Sequence, residues 1–207
     1  KYIMQKKLGI ISGCGNYKSV ANLIGYLKKD FIEIVSPGDM DACTHIIFPG
    51  VGSYIGVLNH LKKKNLINSL KKNILINKKY FLGICVGMQV LTSIGFEEKE
   101  FRGLNIFNGK TIKIKSKKMK LPNIGWYDLE IVKKNSKLFN GIENGSSFYF
   151  LHSFTVQLDN TELITSKINL ETQITSSIEK DNIFGVQFHP EKSQENGLKL
   201  ITNFLEL

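Results

Sequence analysis

Short β-branched runs alternate with longer amphipathic stretches through the first half of the chain, the pattern of parallel strands joined by crossover helices. Residues Lys7–Ile11 read as a first strand, and the turn Ser12–Asn16 leads into a helix over about Lys18–Lys28. Phe31–Val35 and His45–Phe48 are predicted as the second and third strands, with helix within Ile55–Asn73. Tyr80–Ile84 is a fourth strand that runs into Gly-x-Cys-x-Gly, after which Met88–Ser93 reads as helix.

From Gly103 to about Ser177 the runs stay β-like and are punctuated by Asn108–Gly109, Asn140–Gly141 and Asn144–Gly145, which predicts antiparallel strands joined by turns. A last strand at Ile183–Phe188 meets His-Pro-Glu, and Gly197–Leu207 closes as helix. The expected fold is therefore α/β, with a central mixed, mostly parallel sheet flanked by helices. No repeat or linker divides residues 1–207, so one domain is expected.

Composition narrows the function classes. A chain of 207 residues, 42% hydrophobic, is long enough to bury a full core. Its net charge of +10 comes from lysines scattered in pairs and triplets, while arginine appears only at Arg102. Base readers and phosphate clamps lean on arginine, so no nucleic-acid partner is expected. The apolar runs are far shorter than the roughly 20 residues of a membrane span, and no signal-peptide pattern opens the chain, which points to a cytoplasmic protein without a membrane partner. Cys14, Cys43 and Cys85 show no Cys-x-x-Cys spacing. Neither a disulfide framework nor a metal site is suggested, and no cofactor is implied.

Chemistry concentrates in two places. In Gly83-Ile84-Cys85-Val86-Gly87 a cysteine stands between two glycines at a strand-to-helix junction, which is a nucleophile elbow with sulfur in place of oxygen. A helix starting after Cys85 would aim its N-terminus at the thiol and favour the thiolate. The bland alternative is an inert core cysteine. The second place is His189-Pro190-Glu191, directly after the last predicted strand. If that strand runs parallel to the one before Cys85, both C-terminal ends lie at one sheet edge. His189 then serves as base, and Glu191 reaches back to orient it because Pro190 fixes the chain direction. His45 and His60 read as structural or exposed.

With these motifs in view, the chain resembles the class I (triad) glutamine amidotransferases. The resemblance runs in order through Pro49-Gly50-Val51-Gly52-Ser53, Gly83–Gln89, Ile124-Gly125-Trp126, Phe150-Leu151-His152-Ser153 and Gln187–Ser193. The elbow and His-Pro-Glu are common to the class, whereas the other motifs resemble the branch of glutaminase subunits of imidazole glycerol phosphate synthase. The resemblance implies that Cys85 attacks the side-chain amide of glutamine, that His189 passes a proton to the leaving ammonia and that Glu191 orients His189. It further implies oxyanion donors at Val86 and in the Gly50-Val51-Gly52 turn, and glutamine-holding roles for Gln89 and Glu97, with Glu98 adjacent. The implied partner is a (βα)8-barrel cyclase subunit in a heterodimer, contacted through Asn16, Trp126, His152 and Lys192. The first loop departs from the branch: Ile11-Ser12-Gly13-Cys14-Gly15-Asn16 lacks the usual Asp-Tyr pair and is one residue shorter. That departure leaves open a paralogous glutaminase that supplies ammonia for acetamidino groups on surface sugars.

Overall fold

The computed structural model describes residues 6–118 and 120–207. Its first half follows the alternation in the sequence: β1 (Leu8–Ile11), α1 (Tyr17–Tyr26), β2 (Phe31–Ile34), α2 (Pro37–Asp41), β3 (His45–Gly50), α3 (Tyr54–Lys63), α4 (Leu66–Lys71), β4 (Tyr80–Cys85) and α5 (Val86–Gln89). Strands β1 and β3 are buried along their whole length, as continuous apolar runs covered on both faces should be. Helix α1 turns Val20, Leu23 and Ile24 to the core, the spacing of one helical stripe. Helix α2 starts at a capping box in which Ser36 and Asp39 satisfy each other's backbone N–H groups.

The second half is built from β5 (Thr92–Phe96), β6 (Glu100–Arg102), β7 (Phe107–Lys113), β8 (Asn123–Asp128), β9 (Glu130–Ile131), β10 (Ser147–His152), β11 (Phe154–Leu158), β12 (Ile164–Asn169), β13 (Gln173–Lys180), β14 (Ile183–Val186) and the closing α6 (Gln194–Glu206). The main sheet runs β2-β1-β3-β4-β14-β13-β12-β9. It is parallel from β2 to β14 and antiparallel beyond, so the expected mixed α/β sheet is present. A four-stranded sheet, β11-β7-β5-β6, and a two-stranded one, β10-β8, lie beside it.

Several expected boundaries move. The helix foreseen within Ile55–Asn73 breaks at Asn65, which takes a left-handed conformation (φ 57°), and resumes as α4 followed by a π-helical turn over Lys72–Ile76. The helix foreseen at Met88–Ser93 is only α5. Its last carbonyl, Gln89, is taken by the hydroxyls of Thr92 and Thr111, and Thr92 opens β5 instead. Asn108–Gly109 is no turn. It lies inside β7, where a side chain on Gly109 would stand 2.4 Å from the Gln157 carbonyl of β11, so glycine here serves strand approach.

No described helix is long and apolar enough to cross a membrane.

Candidate active site

Three parallel strand ends build the site. In the register of the sheet Gly50 pairs with Cys85 and Val186 pairs with Ile84, so the chain leaving β14 reaches His189 just beyond the level of Cys85. Cys85 itself takes φ 55° and ψ −112°, a region that non-glycine residues rarely adopt. That strain turns the chain from β4 straight into α5 and leaves the thiol at the corner. The corner closes because its neighbours lack side chains: a Cβ on Gly83 would meet the Gly87 carbonyl at 2.5 Å.

His189 is held from three directions. Its N–H donates to the Tyr149 carbonyl at 2.8 Å. Ser193 Oγ donates to the His189 carbonyl at 2.6 Å and accepts the Tyr149 N–H at 3.0 Å, which ties the His-Pro-Glu turn to β10. The preceding ring, Phe188, packs on Phe148 at 4.3 Å and on Phe150 at 5.6 Å between centroids. Each such pair contributes roughly 0.5–1.5 kcal/mol beyond burial. Pro190 starts a single 3-10 turn to Lys192, which swings Glu191 back under the imidazole.

Within this frame His189 Nδ1 lies 2.8 Å from Glu191 Oε1, with both side chains 1% exposed. Since a carboxylate only accepts, Nδ1 carries the proton and Nε2 is left for the sulfur. Nε2 is buried with no hydrogen-bond partner among the described residues, while the Cys85 thiol donates to the Leu151 carbonyl at 3.8 Å. Burial works against a charged ring, but the neighbouring Cys85 thiol and the hydrogen-bonded Glu191 carboxylate favour it more strongly and raise His189 to about 10. The other two cysteines are placed differently: burial pushes the Cys14 thiol up to about 12 and raises Cys43 as well.

A buried polar chain backs the sulfur. Gln187 Nε2 lies 3.6 Å from Cys85 Sγ, and Gln187 Oε1 accepts from Gln89 Nε2 at 3.0 Å. Gln89 also donates to the Phe154 carbonyl at 3.2 Å, so it reaches the thiol only through Gln187. Gln187 belongs to the Gln187–Ser193 motif, which by itself assigns it no role. The sequence signal for it is a lone glutamine inside the apolar run Ile183–Phe188. Glu97, half-buried, accepts the Tyr54 N–H at 2.6 Å at the start of α3, whereas Glu98 is exposed.

The turn after β3 places Gly50 against the elbow: a Cβ there would stand 2.6 Å from the Gly87 N. The Val51 N–H points elsewhere and donates to the Cys14 carbonyl at 2.9 Å. Val86, at the first position of α5, has an N–H without an intrahelical acceptor. Val51 and Gly52 are exposed, while Cys85 is only 4% exposed.

The residues foreseen as a contact face divide. Trp126 is 46% exposed on β8, and Lys192 is exposed with Nζ 5.5 Å above the Tyr149 ring. His152 is buried; its Nδ1 donates to the Phe154 carbonyl at 2.8 Å and its Nε2 faces the Asn123 amide at 3.2 Å, so it offers no surface. A cavity of about 690 Å³ lined by Lys28, Phe31, His45 and Leu205 opens at the opposite, N-terminal ends of the strands and is no part of this site.

A cysteine elbow on a parallel sheet, with a buried His–Glu pair one strand away, is the arrangement of a cysteine-dependent amidotransferase. Residues 20–207 match the glutamine amidotransferase class-I family, and the chain belongs to that family. It is 42% identical over 199 residues to the imidazole glycerol phosphate synthase subunit HisH of Pelagibacter ubique (strain HTCC1062), spanning 93% of this chain and 95% of that protein. It is 41% identical over 201 residues to the subunit of the same name in Methanocaldococcus jannaschii, spanning 97% and 99%. Among solved structures, PurLQS from Thermotoga maritima superposes with a TM-score of 0.73 at 17% identity over 98% of this chain and 99% of that one, a likeness of fold alone.

Proposed function

We propose that this chain, acting as one domain over residues 1–207, is the glutaminase subunit of imidazole glycerol phosphate synthase in the cytoplasmic pathway of histidine biosynthesis. The observation that carries the chemistry is the 2.8 Å contact between His189 Nδ1 and Glu191, which leaves Nε2 for Cys85. Cys85 gives its proton to His189, and the thiolate attacks the side-chain amide carbon of glutamine. The tetrahedral oxyanion is met by the Val86 N–H and by a backbone N–H from Gly50-Val51-Gly52. As the C–N bond breaks, His189 returns the proton to the nitrogen and ammonia leaves, with a thioester remaining on Cys85. Water, deprotonated by His189, opens the thioester to release glutamate and restore the thiol. Gln89 and Glu97 shape the glutamine site through Gln187 and the start of α3.

The free subunit rests in an inactive form. The Val51 N–H that would serve the oxyanion is engaged by the Cys14 carbonyl, and Cys85 is nearly closed off. A (βα)8-barrel cyclase partner docks at the edge where the strands end, through Trp126 and Lys192, and its own ligand biases the turn toward the active form. The sugar-pathway reading, which rested on the altered Ser12–Asn16 loop, is not favoured, since the relatives reported above carry the histidine-pathway name. Complementation tests the assignment. The gene, supplied with its cognate cyclase, should rescue a histidine auxotroph lacking its own glutaminase subunit on low ammonium. Failure by a soluble, complexed pair would overturn the pathway.

A further inference from the structure

We infer that Asn16 is a positioning residue for the catalytic pair, a role that rests on the proposed glutaminase chemistry and goes beyond its three members. Asn16 Nδ2 donates to Glu191 Oε1 at 2.5 Å and lies 3.4 Å from His189 Nδ1. Glu191 Oε1 thus receives the imidazole and the amide together, while Glu191 Oε2 is buried with no partner among the described residues. With one oxygen unheld, the carboxylate would be free to rotate about its last bond were it anchored by the imidazole alone. The amide supplies a second direction and fixes the plane in which Nδ1 is held.

The backbone explains why the residue is asparagine. Asn16 precedes α1 with φ 57° and ψ 9°, and its side chain makes no helix cap, although capping is the usual use of asparagine at that position. The conformation favours glycine, asparagine and aspartate over other residues. Glycine would fit without a donor, and aspartate would set an acceptor against an acceptor. Asparagine joins a residue suited to the left-handed turn to a short N–H donor that reaches the carboxylate. Gly15, with φ 79° and no room for a Cβ against the Val51 carbonyl at 2.6 Å, brings the turn close enough to reach.

The test uses the full chain in complex with its cyclase and follows glutamate release from pH 5 to 9. Asn16→Ala should lower kcat roughly 10- to 100-fold, the range for partners that orient a reacting group, with the KM for glutamine and the melting temperature little changed. Asn16→Asp is the sharper variant. Two carboxyls in contact cannot both ionise, so one keeps its proton up to a raised pKa. The protonated pair reproduces the donor and should keep activity at acid pH, which falls as pH rises through that pKa, a limb the unaltered chain lacks. A profile of Asn16→Asp that superimposes on the unaltered one, or an Asn16→Ala defect confined to KM or melting temperature, would overturn the role. If the unaltered complex itself releases no glutamate, the glutaminase reading fails as well, and the two failures are told apart.

Discussion

Gly87 sits so close to Phe48 that a Cβ on it would stand 2.1 Å from the Phe48 carbonyl oxygen. The obstacle is backbone of β3, which cannot rotate aside as a side chain would. Gly87→Ala must therefore push α5 away from β3 and drag Cys85 with it. Overpacking of this kind costs about 1–3 kcal/mol and more against rigid backbone. The expected result is a lower melting temperature together with lost glutaminase activity, and an alanine variant with unchanged melting and turnover would refute the packing described for the elbow.

Ser193 offers a gentler perturbation of the same site. Ser193→Ala removes the hydroxyl that clasps the buried His189 carbonyl and the part-buried Tyr149 N–H. The His189 carbonyl keeps the Lys192 N–H at 3.0 Å, but the Tyr149 N–H loses its acceptor, which costs about 1–3 kcal/mol. Turnover should fall more than the affinity for glutamine, because the base loses its anchor while the pocket is intact. Denaturant unfolding and steady-state kinetics measure the two effects separately.

Much of this was legible in the sequence because it is local. Gly-x-Cys-x-Gly and His-Pro-Glu each carry their geometry within a few residues, and the parallel first half follows from alternating runs. What the sequence hid depends on contacts between distant segments. Gln187 meets Gln89 across 98 positions and Asn16 meets Glu191 across 175. Gly109 looked like a turn because Asn-Gly usually is one, yet its neighbour β11 uses the missing side chain for close approach. His152 reads as a contact-face residue, yet it is buried and hydrogen-bonded to Asn123 and the Phe154 carbonyl.

Stability should bend at both ends of the pH range. His189 is held at about 10 in the folded chain against 6.5 when exposed, so its contribution is complete below 6.5 and is lost as pH rises toward 10. The slope approaches about 1.4 kcal/mol per pH unit at most. His45 is the converse: burial lowers it to about 4, so its contribution is present above 6.5 and is lost as pH falls toward 4. Urea unfolding of His189→Gln should flatten the alkaline arm, and of His45→Gln the acid arm. Parallel curves for variant and unaltered protein would contradict both assignments.

Among the three cysteines, only Cys85 should react with a glutamine-like diazoketone. Cys14 is buried with its thiol raised to about 12, and burial raises Cys43 as well. Mass mapping should find the adduct at Cys85, and Cys14→Ser and Cys43→Ser should keep turnover while Cys85→Ala abolishes it. Adduct chiefly on Cys14 would reject Cys85 as the nucleophile.

The proposed function requires that ammonia made at Cys85 pass directly to the cyclase partner, because free ammonia would be lost to protonation and diffusion. The most direct measurement supplies glutamine labelled with ¹⁵N at the side-chain amide to the one-to-one complex, in the presence of excess unlabelled ammonium, and follows the nitrogen into imidazole glycerol phosphate. The account predicts product that carries the label almost undiluted, and none in the Cys85→Ala complex. Product whose nitrogen matches the bulk ammonium pool, with Cys85 intact, would contradict it.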